Sequence, residues 1–97
     1  MSATRKVDRY VTENTIEAHA TRRVKRLRGE TIKLLKRGWP DRLIVLPGRM
    51  LYMELKRPKG GRFEPLQLRV HRRLRALGCE VHVCFTKEQV DVVLSYL

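Results

Sequence analysis

Asp41, Glu54 and Lys56 are the residues whose types and spacing could do chemistry together. Asp41 follows Pro40 and opens the apolar run Asp41-Arg-Leu-Ile-Val-Leu46. Glu54 and Lys56 close the run Arg49-Met-Leu-Tyr-Met-Glu-Leu-Lys56. Both runs read as strands, and Pro47-Gly48 between them reads as a turn. With a two-residue turn Leu46 faces Arg49, and counting back along both strands places Asp41 across from Glu54. Directly opposed residues hold their Cβ atoms about 4.5–5.5 Å apart. Two carboxylates that close repel unless a cation lies between them. A divalent metal is the obvious candidate, because hard cations take carboxylate oxygens. Lys56, two residues after Glu54, shares its face. A register one residue off stays open, since Pro-Gly disfavours the primed turns of common hairpins. The neighbourhood survives that change, and the direct opposition does not.

Such a group is hydrolytic. A divalent metal lowers the pKa of water bound to it and polarises a phosphoryl oxygen. Lys56 can orient that water or offset charge on a pentavalent phosphate. Two basic loops adjoin the same end of the hairpin, one with Lys36 and Arg37, the other with Arg57, Lys59 and Arg62. They could hold a phosphate backbone on either side of the metal. The whole chain is basic: 22 Lys and Arg against 10 Asp and Glu leave a net charge of +12, so a polyanion is the expected partner. A lone Glu-x-Lys is usually a surface ion pair, and a lone Pro-Asp is a common turn. Their spacing and the charge together favour a metal-dependent nuclease.

The elements that must position these residues follow from periodicity. Residues 1–9 are polar and basic and predict a loose arm. From Val11 to Arg28, Ile16, Ala20, Val24 and Leu27 recur at helical spacing, with Thr12 or Asn14 as cap and Gly29 as terminator. Five of the seven residues from Arg22 to Arg28 are basic, a density that suits phosphate contact, with Arg22, Arg23, Lys25 and Arg26 foremost. Thr31–Leu35 is a short strand candidate ahead of the two strands of the hairpin. Pro65 opens a second helix with the stripe Leu66, Val70, Leu74 and Leu77, ended by Gly78. Glu80–Phe85 is a fourth strand and Lys87–Ser95 a last helix. The order is α-β-β-β-α-β-α, an α/β mixed sheet flanked by helices. The first three strands are antiparallel, and the crossover helix sets the fourth parallel to the third.

Other residues carry less. Cys79 and Cys84 flank a strand-like stretch, point to opposite faces, and read as buried free thiols of a reducing cytoplasm. His71 sits among Arg69, Arg72, Arg73 and Arg75, a weaker basic face, and neither it nor His19 has a partner spacing that marks a base. Trp39 is a packing anchor or a base contact. No apolar run approaches ~18 residues, so no membrane span is expected. The N-terminal stretch has no apolar core, so no secretory signal is expected.

Gly38-Trp39-Pro40-Asp41, Glu54-Leu55-Lys56 and Gln67 resemble the PD-(D/E)XK nuclease superfamily. More narrowly, Ile16-Glu17, Gly38-x-Pro40-Asp41-Arg42, Glu54-Leu55-Lys56 and Pro65-Leu66-Gln67 with Leu74 and Gly78 resemble the virus-type replication-repair nuclease (VRR-NUC) family in its stand-alone phage and bacterial form. The likeness runs from about Glu13 to the C-terminus. It implies a restriction-endonuclease-like fold over one domain, residues 1–97. It implies Mg²⁺ or Mn²⁺ on Asp41 and Glu54, with the Leu55 carbonyl as a further ligand and Lys56 as the catalytic lysine. Glu17 matches the family's helical acid, which supports the metal, with Glu13 one turn earlier as its rival. Gln67 matches a residue that positions groups near the metal. The stretch between Gly29 and Gly38 is shorter than usual for the family.

The function expected is metal-dependent hydrolysis of DNA. A two-fold dimer would present two sites to a symmetric branched substrate. Stand-alone members resemble Holliday-junction resolvases in that respect. The leading substrate is therefore a four-way junction cut by a homodimer in the cytoplasm of a bacterial or phage-infected cell. The Val-rich C-terminus is the candidate dimer surface. Two other readings stay open: a flap or unspecific nuclease, and a non-catalytic basic binding module.

Overall fold

The computed structural model describes residues 12–95. The basic arm expected over residues 1–9, and Val11 at the expected helix start, lie outside the described residues. Among the described residues seven elements follow one another: α1 (Glu13–Arg26), β1 (Glu30–Lys33), β2 (Arg42–Leu46), β3 (Arg49–Leu55), α2 (Pro65–Ala76), β4 (Val81–Cys84) and α3 (Lys87–Leu94). This is the expected order, with most elements trimmed at their ends and β1 starting one residue early, at Glu30. Leu34 and Leu35 leave the first strand, and Leu35 stands 87% exposed.

The sheet order is β1-β2-β3-β4. The first three strands are antiparallel, and β4 runs parallel to β3. The hairpin keeps the two-residue register: Leu46 pairs with Arg49, and the ladder runs on to Arg42 with Met53. One more step along it sets Asp41 beside Glu54. Pro47 fixes a negative φ and Gly48 takes φ 72°. These are what a type II turn asks of its two central residues, so no primed turn is needed.

Side chains alternate along β3 and separate core from site. Leu51, Met53 and Leu55 join Ile44 and Leu46 of β2, Ile16, Ala20 and Val24 of α1, Cys84 of β4, and Val90 and Leu94 of α3 in the main core. Burial of each large apolar side chain contributes about 1.5–3 kcal/mol. The stripe predicted for α1 therefore holds. The Val-rich C-terminus does not offer a wholly free face: Val90 lies in the core and Val93 packs against it, while Val92 is exposed.

The helix ends differ from expectation at one point. Thr12 caps α1 by accepting from the Thr15 N–H. At the other end Arg28, not Gly29, takes the left-handed φ of 63°. Arg28 N–H bonds Lys25 O and Gly29 N–H bonds Val24 O, the double bond of a Schellman close. Gly29 is required for another reason: a Cβ there would lie 2.5 Å from the Val45 carbonyl oxygen.

The stripe predicted for α2 holds only in part. Leu74 is buried, but Leu77 is 61% exposed and His71 takes the other buried position. The physical reason is what α2 covers. It lies over the end of β3 from which Glu54 and Lys56 project, so its inner face needs polar groups. Apolar periodicity cannot report that. Cys79 precedes β4 and is half-buried, whereas Cys84 is buried within it. No helix among the described residues is long and apolar enough to cross a membrane.

Candidate active site

The Gly38–Asp41 segment carries the first carboxylate. Gly38 has φ 83°, and a Cβ on it would meet Leu66 Cγ at 2.7 Å. Only glycine lets this loop pass so close to α2. Trp39 packs edge-on against Tyr52 at 5.9 Å, with Lys36 over its ring, so it serves as a packing anchor. Pro40 is fully buried. Asp41 follows, its carbonyl accepting from the Leu34 N–H at 2.8 Å and its Oδ2 accepting from the Leu55 N–H at 2.9 Å. The carboxylate is thereby fastened to the main chain between Glu54 and Lys56.

Glu54 is 2% exposed and Lys56 7%. Glu54 Oε2 lies 3.2 Å from Lys56 Nζ and accepts from Gln67 Nε2 at 3.3 Å. Gln67 Oε1 accepts from Lys56 Nζ at 3.1 Å and from the Glu64 N–H at 3.1 Å. Gln67 therefore closes the start of α2 and holds Glu54 and Lys56 at once. Phe63 lies against the Lys56 ammonium, 4.9 Å from Nζ to ring centre.

Burial pushes the Asp41 carboxyl up; the Leu55 N–H opposes this, and Glu13 acts on it more strongly than Glu17. Burial, then the Asp41 charge, pushes Glu54 up to about 7, against the pull of Lys56. Two acids whose ionisation is opposed this way form a site short of positive charge. Among the described residues no three His, Cys, Asp or Glu side chains gather as a metal cage. The available donors are two carboxylates and main-chain carbonyls, all hard oxygens of the kind divalent cations take.

The remaining predicted residues divide. Glu17 is tied to Arg42, the residue after Asp41, and does not join the carboxylate pair. Glu13 faces a groove lined with Asn14, Arg57 and Arg62. Arg23 pairs with Asp91 of α3 at 3.2 Å, while Arg22, Lys25 and Arg26 are exposed. Lys36 and Arg37 precede the site, Arg57, Lys59 and Arg62 follow it, and all five are exposed.

This site sits in a fold that other proteins share. No family model matches the chain. A protein of Acyrthosiphon pisum secondary endosymbiont phage 1 named "Putative nuclease p44" is 42% identical over 89 residues, 88% of this chain and 95% of its own length. A solved structure described as a VRR_NUC domain aligns at a TM-score of 0.78 and 33% identity, over 87% of this chain and 95% of its own. The chain belongs to the VRR-NUC family. It is a nuclease by that membership, and its mixed sheet and helices are the VRR-NUC fold.

Around the VRR-NUC site the structure adds residues that sequence reasoning leaves out. Arg42 stands in the sequence only as the end of a motif, yet it is the partner of Glu17. Phe63 lies between the basic loop and α2 and flanks both Lys56 and His71. His71 falls among the arginines of α2, yet it is buried 3.9 Å from Glu54. Its position four residues after Gln67 is the signal that could place it, since such pairs share a helix face.

Proposed function

We propose that this chain is a divalent-metal-dependent endodeoxyribonuclease that acts as a homodimeric Holliday-junction resolvase in the cytoplasm of a bacterial or phage-infected cell. The observation that carries the catalytic part is the placement of Asp41, just ahead of β2, beside Glu54 of β3, with Lys56 and Gln67 gathered on one edge of Glu54.

Asp41, Glu54 and the Leu55 carbonyl would hold Mg²⁺ or Mn²⁺. Glu54 Oε1 supports that fit, being buried with no hydrogen-bond partner among the described residues. When bound, the cation supplies Lewis acidity toward the scissile phosphate and acidifies water. Lys56, held by Glu54 and Gln67, orients the attacking water and offsets charge growing on phosphorus. Gln67 keeps the lysine and the carboxylate fixed against each other. Glu17 acts at one remove by holding Arg42 beside Asp41, and Glu13 is the acid of α1 that Asp41 feels more. Arg22, Lys25 and Arg26 on α1, with Lys36, Arg37, Arg57, Lys59 and Arg62 in the two loops, bind the phosphate backbone. Arg23, drawn to Asp91, sits at the edge of that set.

No base-reading element accompanies these groups among the described residues, so shape and phosphates set the choice of DNA. One chain has one site, and two sites related by a dyad match a four-way junction. Ile32 and Met50 stay about half exposed on the sheet, apolar surface that a second copy would cover.

The test is cleavage of a labelled four-way junction and a matching linear duplex in Mg²⁺, Mn²⁺ or EDTA, with wild type beside Asp41→Asn. Paired symmetric cuts in the junction, lost with EDTA and with the variant, are expected. Equal cutting of the linear duplex removes the resolvase. Tight binding without cutting in any metal removes the nuclease.

A further inference from the structure

We infer that His71 is a positioning residue for the site, its Nε2–H steering the free edge of the Glu54 carboxylate so that Glu54 meets a divalent cation in one orientation. This rests on the proposed role of Glu54 as a metal ligand.

The two edges of Glu54 are treated differently. Oε2 has Lys56 and Gln67. Oε1 has no hydrogen-bond partner, and neither has His71 Nε2, which lies 3.9 Å from it. Both side chains are buried, each residue being 2% exposed. Only three buried side-chain polar atoms among the described residues lack a hydrogen-bond partner, and two of them lie 3.9 Å apart here. Buried polar atoms are normally paired, so a pair left this way asks for a reason. The gap is beyond hydrogen-bond range, and an approach of about 1 Å closes it.

The placement is built rather than incidental. Gln67 and His71 are one helical turn apart on α2 and project from the same face. Phe63 meets the His71 ring edge-on, centroids 5.8 Å apart at 87°, and limits its rotation. A leucine would fill a core position of this size without polar cost. A neutral imidazole has a single N–H to give. A carboxylate oxygen that accepts one such bond keeps a second lone pair for a metal. Partners of that kind typically change metal affinity by 10–100-fold.

The experiment compares wild type, His71→Leu and His71→Gln by calorimetric titration with Mn²⁺, together with thermal melts in EDTA. His71→Leu should bind Mn²⁺ roughly 10–100-fold more weakly with its melting temperature kept or raised. His71→Gln, which restores an N–H donor, should recover part of the affinity. A leucine variant that binds Mn²⁺ as wild type does overturns the proposal. A second arm needs no metal: nitrogen NMR of the His71 ring in wild type and Glu54→Gln. A shifted Nε2 resonance supports the contact, and an unmoved one overturns it. Wild type that takes up no Mn²⁺ defeats the metal reading instead, and the metal-free arm then decides the contact by itself.

Discussion

The Asp41 carboxylate is fastened to the strand beside it, its Oδ2 accepting from the Leu55 main-chain N–H at 2.9 Å. The same bond closes the open end of the β2–β3 ladder and aims the acid at Glu54. Structure and chemistry can therefore be separated by choice of substitution. Asp41→Asn keeps an oxygen for Leu55 and loses the charge. Asp41→Ala loses both and leaves a buried N–H unpaired, at a cost of about 1–3 kcal/mol. Both should cut DNA slower by roughly 10²-fold or more. In thermal melts the asparagine variant should stay near wild type and the alanine variant should fall. Equal melting of the two would mean that the bond carries no weight.

Gln67→Ala removes one partner from Glu54, one from Lys56 and one from the Glu64 N–H. Cleavage should drop roughly 10–100-fold, as for other groups that orient metal ligands. The loss of stability should be near ~1 kcal/mol. A wild-type rate would show that Glu54 and Lys56 orient themselves without it.

Stability of the metal-free chain should depend on pH with an unusual sign. Glu54 titrates near 7 when folded, against an ordinary 4.5. Between those values the folded chain holds a proton that the unfolded chain has released. Stability therefore falls as pH rises through that window, by at most about 3 kcal/mol, and levels off above it. Glu80 works the other way: hydrogen bonding to Arg49 takes it down to about 2, so its contribution is lost as pH falls below 4.5. Melts in EDTA should peak near the lower edge of the Glu54 window. Glu54→Gln should flatten the decline toward neutral pH, and Mn²⁺ should oppose it in wild type. A wild-type chain that gains stability across the Glu54 window in EDTA would contradict this account.

Two glycines with positive φ separate backbone strain from crowding. Gly48→Ala meets nothing within 4 Å and should cost only the left-handed conformation, about 1 kcal/mol. Gly38→Ala adds a collision with Leu66 at 2.7 Å and should cost more, with cleavage falling because the loop carries Asp41. Chemical denaturation of both variants gives the comparison. Equal losses would mean that α2 yields freely to the loop.

Replacing Arg57, Lys59 and Arg62 by alanine should weaken binding to every DNA tested. The salt dependence should lessen by about one unit for each phosphate no longer neutralised. Filter binding across a salt series reads it directly. An unchanged slope would place the DNA elsewhere.

Much of this arrangement is legible in the residues, and the exceptions have physical causes. The hairpin register follows from the two residues Pro47 and Gly48, because a turn of known length fixes the pairing of everything beyond it. The core stripe of α1 follows from Ile16, Ala20 and Val24. The face of α2 does not, because periodicity counts apolar side chains and this face is occupied by Gln67 and His71. The left-handed position of Arg28 is also hidden, since glycine is the usual mark and Gly29 stands one place later for steric reasons. The partner of Glu17 lies in tertiary structure alone: nothing within α1 points to Arg42 of β2.

The two-residue turn at Pro47-Gly48 is also a length gauge. Because successive side chains of a strand alternate, one residue inserted there with the two-residue turn kept would slip the β2–β3 register by one and turn the face of β3 inside out. Leu55 would enter the pocket, and Glu54 with Lys56 would be driven into the oily interior. This nuclease therefore tolerates a change of letter at the tip of its hairpin far better than a change of count. Insertions and deletions there, remote from the chemistry, are the lesions most apt to erase activity and fold together.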